Sequence, residues 1–283
     1  MQITDHVHAL RMTFSIPVAP GQTVERFVYC WLVAGERPWL VDAGVAAAAE
    51  EILAFIEQAG ADPAELDALV LTHPHPDHIG GARAIREATG CRIAAHEAAV
   101  AWIEDTNLQE RERPVPGFEA LVAGSVPVDL RLEGGEVLDL GAGVIAEVVH
   151  VPGHSRGQIA LLVQPDGALI CADALPAPGT PPIYEDVPQS VASIERLMAL
   201  GDVEVLLSSW DEPHAGAKAR RQMRAALEFI QRVGAVTHRV AAAMPEATAA
   251  GIAPQVLEEL GVRLPVVPPM VVQSISAHLA RRR

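Results

Sequence analysis

The densest cluster of metal-capable side chains in the sequence is Thr72-His73-Pro74-His75-Pro76-Asp77-His78. His73 and His75 are one residue apart, so in an extended segment both imidazoles point the same way and can grip one ion. Asp77 and His78 follow where the chain would turn into a helix, presenting a carboxylate and an imidazole to a neighbouring point. Two prolines stiffen the loop between these donors, which suits a preformed metal site better than a solvated loop. A pair of metals sharing a bridging water would lower that water's pKa toward neutrality and hold the hydroxide for attack on a carbonyl or phosphoryl centre. Such a site needs no serine or cysteine nucleophile.

The elements that must position this cluster can be read from periodicity. Residues 7–14, 27–33 and 39–41 are short β-rich runs separated by turn signals, which predicts adjacent antiparallel strands. Residues 45–59 place Ile52, Leu53, Phe55 and Ile56 at helical spacing, with Gly60 set to stop the helix. A buried strand at 66–71 then runs straight into the histidine cluster, and a helix at 80–88 followed by a strand at 91–95 completes a βαβ unit. Short strands return over 126–151. Strands at 159–163 and 168–171, a helix at 187–200 and a strand at 203–208 echo the first half, predicting two β-sheets face to face with helices outside. The Pro-rich loop 176–182 is expected to form a mobile rim. Beyond residue 215 the pattern is helical, over 217–243, 245–260 and 269–279, either as an extension packed on the main domain or as a dimerisation or capping module.

Composition narrows the function classes. The 283 residues are 50% hydrophobic and carry 21 Lys+Arg against 36 Asp+Glu, a net charge of −15, which describes a soluble globular protein and argues against a nucleic-acid partner. The basic groups at Lys218, Arg220, Arg221 and Arg224 and in the Arg281-Arg282-Arg283 tail follow helical patterns and read as solvated faces and helix ends. No apolar run reaches the roughly 20 residues of a membrane span, and residues 1–6 do not resemble a signal peptide. Cys30, Cys91 and Cys171 are too scattered for a disulfide framework or a metal knuckle. Together these features predict a cytoplasmic protein that acts on a small molecule, away from membranes, with a homodimer through the C-terminal helices left open.

The His-x-His-x-Asp-His string, with a strand before it and Gly80-Gly81 and a helix after it, resembles the metallo-β-lactamase superfamily. Trp39-Leu40-Val41-Asp42-Ala43-Gly44 is similar to the family's strand and Asp-x-Gly turn, residues 150–157 to its third metal-binding motif, and residues 169–173 to its fourth. The resemblance covers about residues 5–215 and implies an α/β fold, an αββα sandwich of two mixed β-sheets flanked by helices, as a catalytic domain over 1–215 with a C-terminal helical extension over 216–283. It further implies that His73, His75 and His154 hold one metal, that Asp77 and His78 help hold a second, and that Asp173 bridges both, with Asp77 or Asp173 relaying the proton. The cofactors so implied are two divalent ions, Zn2+ with Fe or Mn as alternatives. The reaction is hydrolysis of an ester, thioester, lactone or related bond, with hydroxyacylglutathione hydrolases and lactonases closest in general pattern. A phosphodiesterase or ribonuclease and a mono-iron persulfide dioxygenase are the alternatives.

One motif departs from the family. Where a final Gly-His would complete the second metal, the chain reads Ser208-Ser209-Trp210-Asp211-Glu212-Pro213-His214. Trp210 stands in the usual histidine's place, Asp211 is the nearest replacement ligand, and His214 is the next if the loop turns back after Pro213. Asp42 is expected either to support a ligand histidine or to cap its turn. His96 and His150 read as satisfied structural residues near the cleft, and Cys171 as buried packing. Arg156, after the metal-binding loop, and Tyr184, after the Pro-rich loop, are the candidate substrate-binding residues, against surface and rim-packing roles.

Overall fold

The structure, a computed structural model, describes residues 1–19 and 22–280. Strands β1 (Val7–Ala19) and β2 (Gln22–Val33) form a long antiparallel hairpin that β3 (Trp39–Val41) extends. The hairpin arms run past the expected ends at Phe14 and Phe27. Pro17 does not stop β1, because β1 is the edge of its sheet and a missing N–H there breaks no interior ladder. Helix α1 (Ala49–Gln58) buries Ile52, Phe55 and Ile56 of the stripe its spacing predicts and leaves Leu53 half-buried. β4 (Ala68–Leu71), α2 (Pro76–Ile79), α3 (Ala82–Thr89) and β5 (Arg92–His96) follow, with β3, β4 and β5 parallel. Three helices, α4 (Val100–Glu104), α5 (Thr106–Glu112) and α6 (Phe118–Leu121), are too short to announce themselves by periodicity. β6 (Leu130–Leu132) then completes a six-stranded sheet ordered β1-β2-β3-β4-β5-β6.

The second sheet begins with an antiparallel meander of β7 (Val137–Gly141), β8 (Val144–His150), β9 (Ile159–Gln164) and β10 (Ala168–Ala172). After α7 (Val187–Ala199), β11 (Val205–Ser208) pairs parallel to β10, and the short β12 (His214–Ala215) closes the far edge. Alternation along each strand separates two faces. Trp31, Val41 and Val70 of the first sheet meet Val148, Leu161 and Ile170 of the second in a buried core between the sheets. On the opposite faces, Leu40, Leu69 and Leu71 lie beneath Ile52, Ile56 and Ile85, while Leu162 and Leu169 lie beneath Ile194 and Leu197. The result is an αββα sandwich of two mixed sheets.

The chain ends in α8 (Ala217–Ala243), α9 (Ala249–Leu260) and α10 (Pro269–Leu279). The first turns of α8 bury Met223 and Ala226 against the sandwich beside Ile194 and Leu197. Its later turns bury Val233, Val236 and Val240 against Ile252 and Val256 of α9 and Ile275 of α10. The Arg281-Arg282-Arg283 tail lies outside the described residues. Among those described, no helix is long and apolar enough to cross a membrane.

Helix α10 also reaches the segment after the Pro-rich loop. Ser274 Oγ accepts from the Tyr184 N–H at 2.9 Å and donates to the Tyr184 carbonyl at 2.8 Å. The Tyr184 hydroxyl donates to His278 Nε2 at 2.7 Å, and Gly234 of α8 makes room for that ring, since a Cβ there would come within 2.9 Å of His278 Nδ1. Burial, and secondarily the nearby His238, lowers His278 from its ordinary 6.5 to about 4. The folded state therefore resists a proton that the unfolded chain accepts, so stability is lost as pH falls from about 6.5 to about 4 and no further below it. Thermal melts across pH 7 to 4 should show this fall, and His278→Gln should lower stability by about 1 kcal/mol at pH 7 while flattening the slope. A variant slope equal to that of the natural protein would refute the assignment.

Candidate metal centre

The centre forms where several strands end on one rim of the sandwich. β3 ends at Val41, and Asp42 follows with φ 62°, a left-handed conformation that an aspartate tolerates better than most residues. Its carboxylate, fully buried, accepts from the Thr72 N–H (2.8 Å) and the Thr72 hydroxyl (2.8 Å) at the end of β4, and from His78 Nδ1 (2.7 Å). Thr72 Oγ1, having given its proton to Asp42, accepts from His73 Nδ1 at 3.1 Å. One carboxylate thus fixes the orientation of two imidazoles and turns the Nε2 of each away from it, toward the other donors. His154, on the loop after β8, donates from Nδ1 to the Ile183 carbonyl at 2.8 Å, which frees its Nε2.

Two groups of donors converge. His73, His75 and His154 each offer one nitrogen to a common point, as do His73, His78 and Asp173 with one ligand atom each. His154 Nε2 lies 2.8 Å from His75 Nδ1. Asp173 follows Ala172, itself at φ 46°, at the end of β10, and its Oδ2 is 3.5 Å from His154 Nε2 while its Oδ1 is 3.4 Å from His78 Nε2. Asp77 Oδ2 is 3.6 Å from His78 Nε2. His73 Nε2, His75 Nε2, His78 Nε2 and Asp173 Oδ1 are buried without a hydrogen-bond partner in the protein. Such orphaned atoms are costly in a core unless a ligand completes them, and a borderline cation taking imidazole nitrogen and carboxylate oxygen fits this donor set.

The electrostatics agree with that use. Burial holds His73 and His75 well below the ordinary imidazole value and also lowers His154, so all three are neutral and ready to ligate at neutral pH. His78 goes the other way: burial would lower it, but the Asp173, Asp42 and Asp77 carboxylates outweigh burial and hold it well above. Burial likewise would raise Asp173, yet His78, His154 and the Trp210 N–H keep it below the carboxylate range, while burial and the Asp173 charge raise Asp77.

Other expected residues are placed elsewhere. The chain does turn back after Pro213, but as β12, with His214 opposite Leu206 and so down the strand from the rim. His214 Nε2 pairs with Asp211 Oδ2 at 2.9 Å, which also accepts from Gln222 Nε2 at 3.0 Å; neither residue joins the converging donors. The neighbour of Asp173 is instead Trp210, whose Nε1 donates to Oδ2 at 2.9 Å. Tyr184 is buried and its hydroxyl is engaged by His278. Arg156 is exposed beside a hollow of about 160 Å³ that Glu185 and Gln189 also line. His96 and His150 stack with centroids 3.9 Å apart and bond the carbonyls of Glu133 and Arg156, outside the donor groups. Cys171 is buried, its thiol 3.4 Å from the Leu207 carbonyl.

Arg113 carried no motif and was invisible to spacing. It caps α5, the helix whose Gln109 side chain donates to the Pro74 carbonyl within the ligand loop. Its guanidinium is partly buried and, among the described residues, makes one side-chain hydrogen bond, a long Nη2 contact to Met270 Sδ at 4.0 Å. Burial lowers its pKa, opposed by the charges of Asp77, Glu185 and Asp173, and its own charge helps depress His73, His75 and His154.

An αββα sandwich with imidazoles and carboxylates gathered on one rim defines a metallo-hydrolase fold. The family model of the metallo-beta-lactamase superfamily matches residues 23–216, and the chain belongs to that superfamily. Hydroxyacylglutathione hydrolases are among its relatives. That of Methylococcus capsulatus is 30% identical over 75% of this chain and 77% of its own, and that of Albidiferax ferrireducens is 34% identical over 62% of this chain. The chain spans only 58% of the latter's length. Among solved structures, a beta-lactamase domain protein from Burkholderia ambifaria aligns at TM-score 0.72 with 20% identity over 99% of this chain and 87% of its own. A metallo-beta-lactamase family protein from Thermus thermophilus aligns at 0.65 with 22% identity over 95% and 91%. These likenesses show the fold.

Asp42 gives this centre a direct test. Asp42→Asn keeps the volume but replaces one accepting oxygen with a donor facing either Thr72 or His78, and it should weaken zinc binding about 10–100-fold in a chelator competition while circular dichroism stays unchanged. Unaltered zinc affinity would show that the carboxylate does not orient the ligands.

Proposed function

We propose that the protein is a metal-dependent hydrolase of small thioesters or related esters, with glutathione thioesters of hydroxy acids as the first substrates to try. The observation that supports it is the convergence of His73, His75, His78, His154 and Asp173, with His73 Nε2, His78 Nε2 and Asp173 Oδ1 buried and unpartnered. The relatives' hydroxyacylglutathione hydrolase activity supports the thioester class. Two divalent ions, zinc foremost, are the proposed cofactors, one held by His73, His75 and His154 and one by Asp77 and His78, with Asp173 between them. When bound, they supply an acidified water and a Lewis acid for the scissile carbonyl.

The chain's own residues complete the reaction, in which water and a thioester give a carboxylic acid and a thiol. Asp77 or Asp173 takes the proton released by the attacking water and returns it to the leaving sulfur. Asp42 and the Ile183 carbonyl keep the imidazoles in the ligating tautomer. Arg113, with Arg156 farther out, holds an anionic end of the substrate and orients the thioester. A cytoplasmic setting is part of the proposal, in keeping with three free, buried cysteines.

Zinc-loaded protein should hydrolyse a hydroxyacyl-glutathione thioester, lose the activity to a chelator and regain it with zinc. Turnover of a phosphodiester but no thioester would replace this reading with the phosphodiesterase. Arg113→Ala should raise KM about 10-fold or more for a carboxylate-bearing thioester, as expected for loss of a charged hydrogen bond, and leave KM for a neutral thioester unchanged. Equal effects on both substrates would remove Arg113 from substrate binding.

A further inference from the structure

Trp210 lies two residues beyond the end of β11, and its indole is packed among Phe14 and Phe27, with ring centroids 6.3 and 6.2 Å away. The outer nitrogen of an indole is two bonds from Cγ within a five-membered ring. So is the Nε2 of an imidazole. Trp210 Nε1 therefore occupies the space that a histidine Nε2 on the same backbone could reach, but it carries a proton and no available lone pair. It can bond Asp173 Oδ2, as it does at 2.9 Å, and it cannot bind a cation.

The consequence falls unevenly on the two groups of donors. The first has three imidazoles, His73, His75 and His154. The second, His73, His78 and Asp173, shares His73 with the first and has His78 alone as an imidazole of its own, with Asp77 Oδ2 3.6 Å from His78 Nε2 outside the converging group and Asp173 Oδ2 already accepting the indole proton. Asp211 and His214, the donor-bearing candidates that follow Trp210 in the chain, are bonded to each other at 2.9 Å. Zinc normally draws at least three protein donors, and here the third is divided between two positions.

We propose that Trp210 makes the two cation positions unequal: one ion binds tightly at His73, His75 and His154, and a second binds weakly and exchangeably at Asp77, His78 and Asp173. This deepens the hydrolase reading above and rests on it. The indole proton anchors the shared carboxylate, so the centre stays in register for the first ion whether or not the second is present. The second position fills only when the free metal concentration is high.

The test is a zinc titration of the full chain by chelator competition, with elemental mass spectrometry after dialysis. The natural protein should retain about one ion per chain and show a second dissociation constant about 100-fold or more weaker than the first, beyond the 10–100-fold reach of outer-shell effects. Trp210→His, which puts a lone pair where the indole N–H stands, should retain about two ions and bind the second about 10-fold or more tightly. Trp210→Phe, which removes the N–H without adding a donor, should stay at one. Two ions of similar affinity in the natural protein overturn the proposal, as does a folded Trp210→His that behaves like Trp210→Phe. A natural chain that retains no zinc in any form overturns the hydrolase reading as well, a distinct result. If Trp210→His fails to fold, the two-step isotherm of the natural protein decides.

Discussion

The buried carboxylate of Asp42 is the tie on which the centre depends. An ionised carboxylate in a core is costly unless its lone pairs are met, and here three donors meet them at 2.7–2.8 Å. Each such charged bond contributes about 1.5–3 kcal/mol, and each also fixes geometry. Thr72 N–H and hydroxyl hold the end of β4 against the end of β3, and His78 is pinned from behind. Through Thr72 the same carboxylate sets the tautomer of His73. The left-handed backbone at Asp42 is sustained by this bonding and delivers the side chain to the ligand loop.

The sandwich converts that local tie into a site. β3 and β4 run parallel, so their ends, Asp42 and the Thr72–His78 loop, share one rim. β10 and β11 run parallel in the facing sheet and end on that rim with Asp173 and Trp210. The core of Trp31, Val41 and Val70 against Val148, Leu161 and Ile170 keeps the rims together. His154 is added from the loop after β8 and is oriented by the Ile183 carbonyl, whose neighbour Tyr184 is held by Ser274 of α10. The C-terminal helices therefore reach the centre through backbone rather than by contributing a ligand. The glycines of the loops serve the same closeness: a Cβ at Gly153 would strike the Ser190 N–H at 2.4 Å, and one at Gly80 the Leu121 carbonyl at 2.1 Å.

Charge is arranged with equal economy. Neutral imidazoles on one side and the Asp42, Asp77 and Asp173 carboxylates on the other make a field that favours a cation between them. Arg113 supplies the opposite sign, its charge interacting with those of Asp77, Glu185 and Asp173.

What the sequence by itself determined is local. His73, His75, Asp77 and His78 lie within six residues, so strand and turn geometry alone bring them near a common point, and strand alternation with helical spacing was enough to foresee two sheets with helices outside. The hairpin arms run past residues 14 and 27 to Ala19 and Gln22, and only the sheet order reveals that β1 is an edge where Pro17 is tolerated. Tertiary structure decided everything that depends on partners far along the chain. Pairing with β11 drew His214 away from the rim and toward Asp211, packing against Phe14 and Phe27 set Trp210 on Asp173, and α10 turned the Tyr184 hydroxyl toward His278. Arg113 became part of the site only because a short helix docks on the ligand loop through Gln109. A spacing rule captures side chains that share one element; the direction of a side chain between elements is fixed by the packing that brings them together.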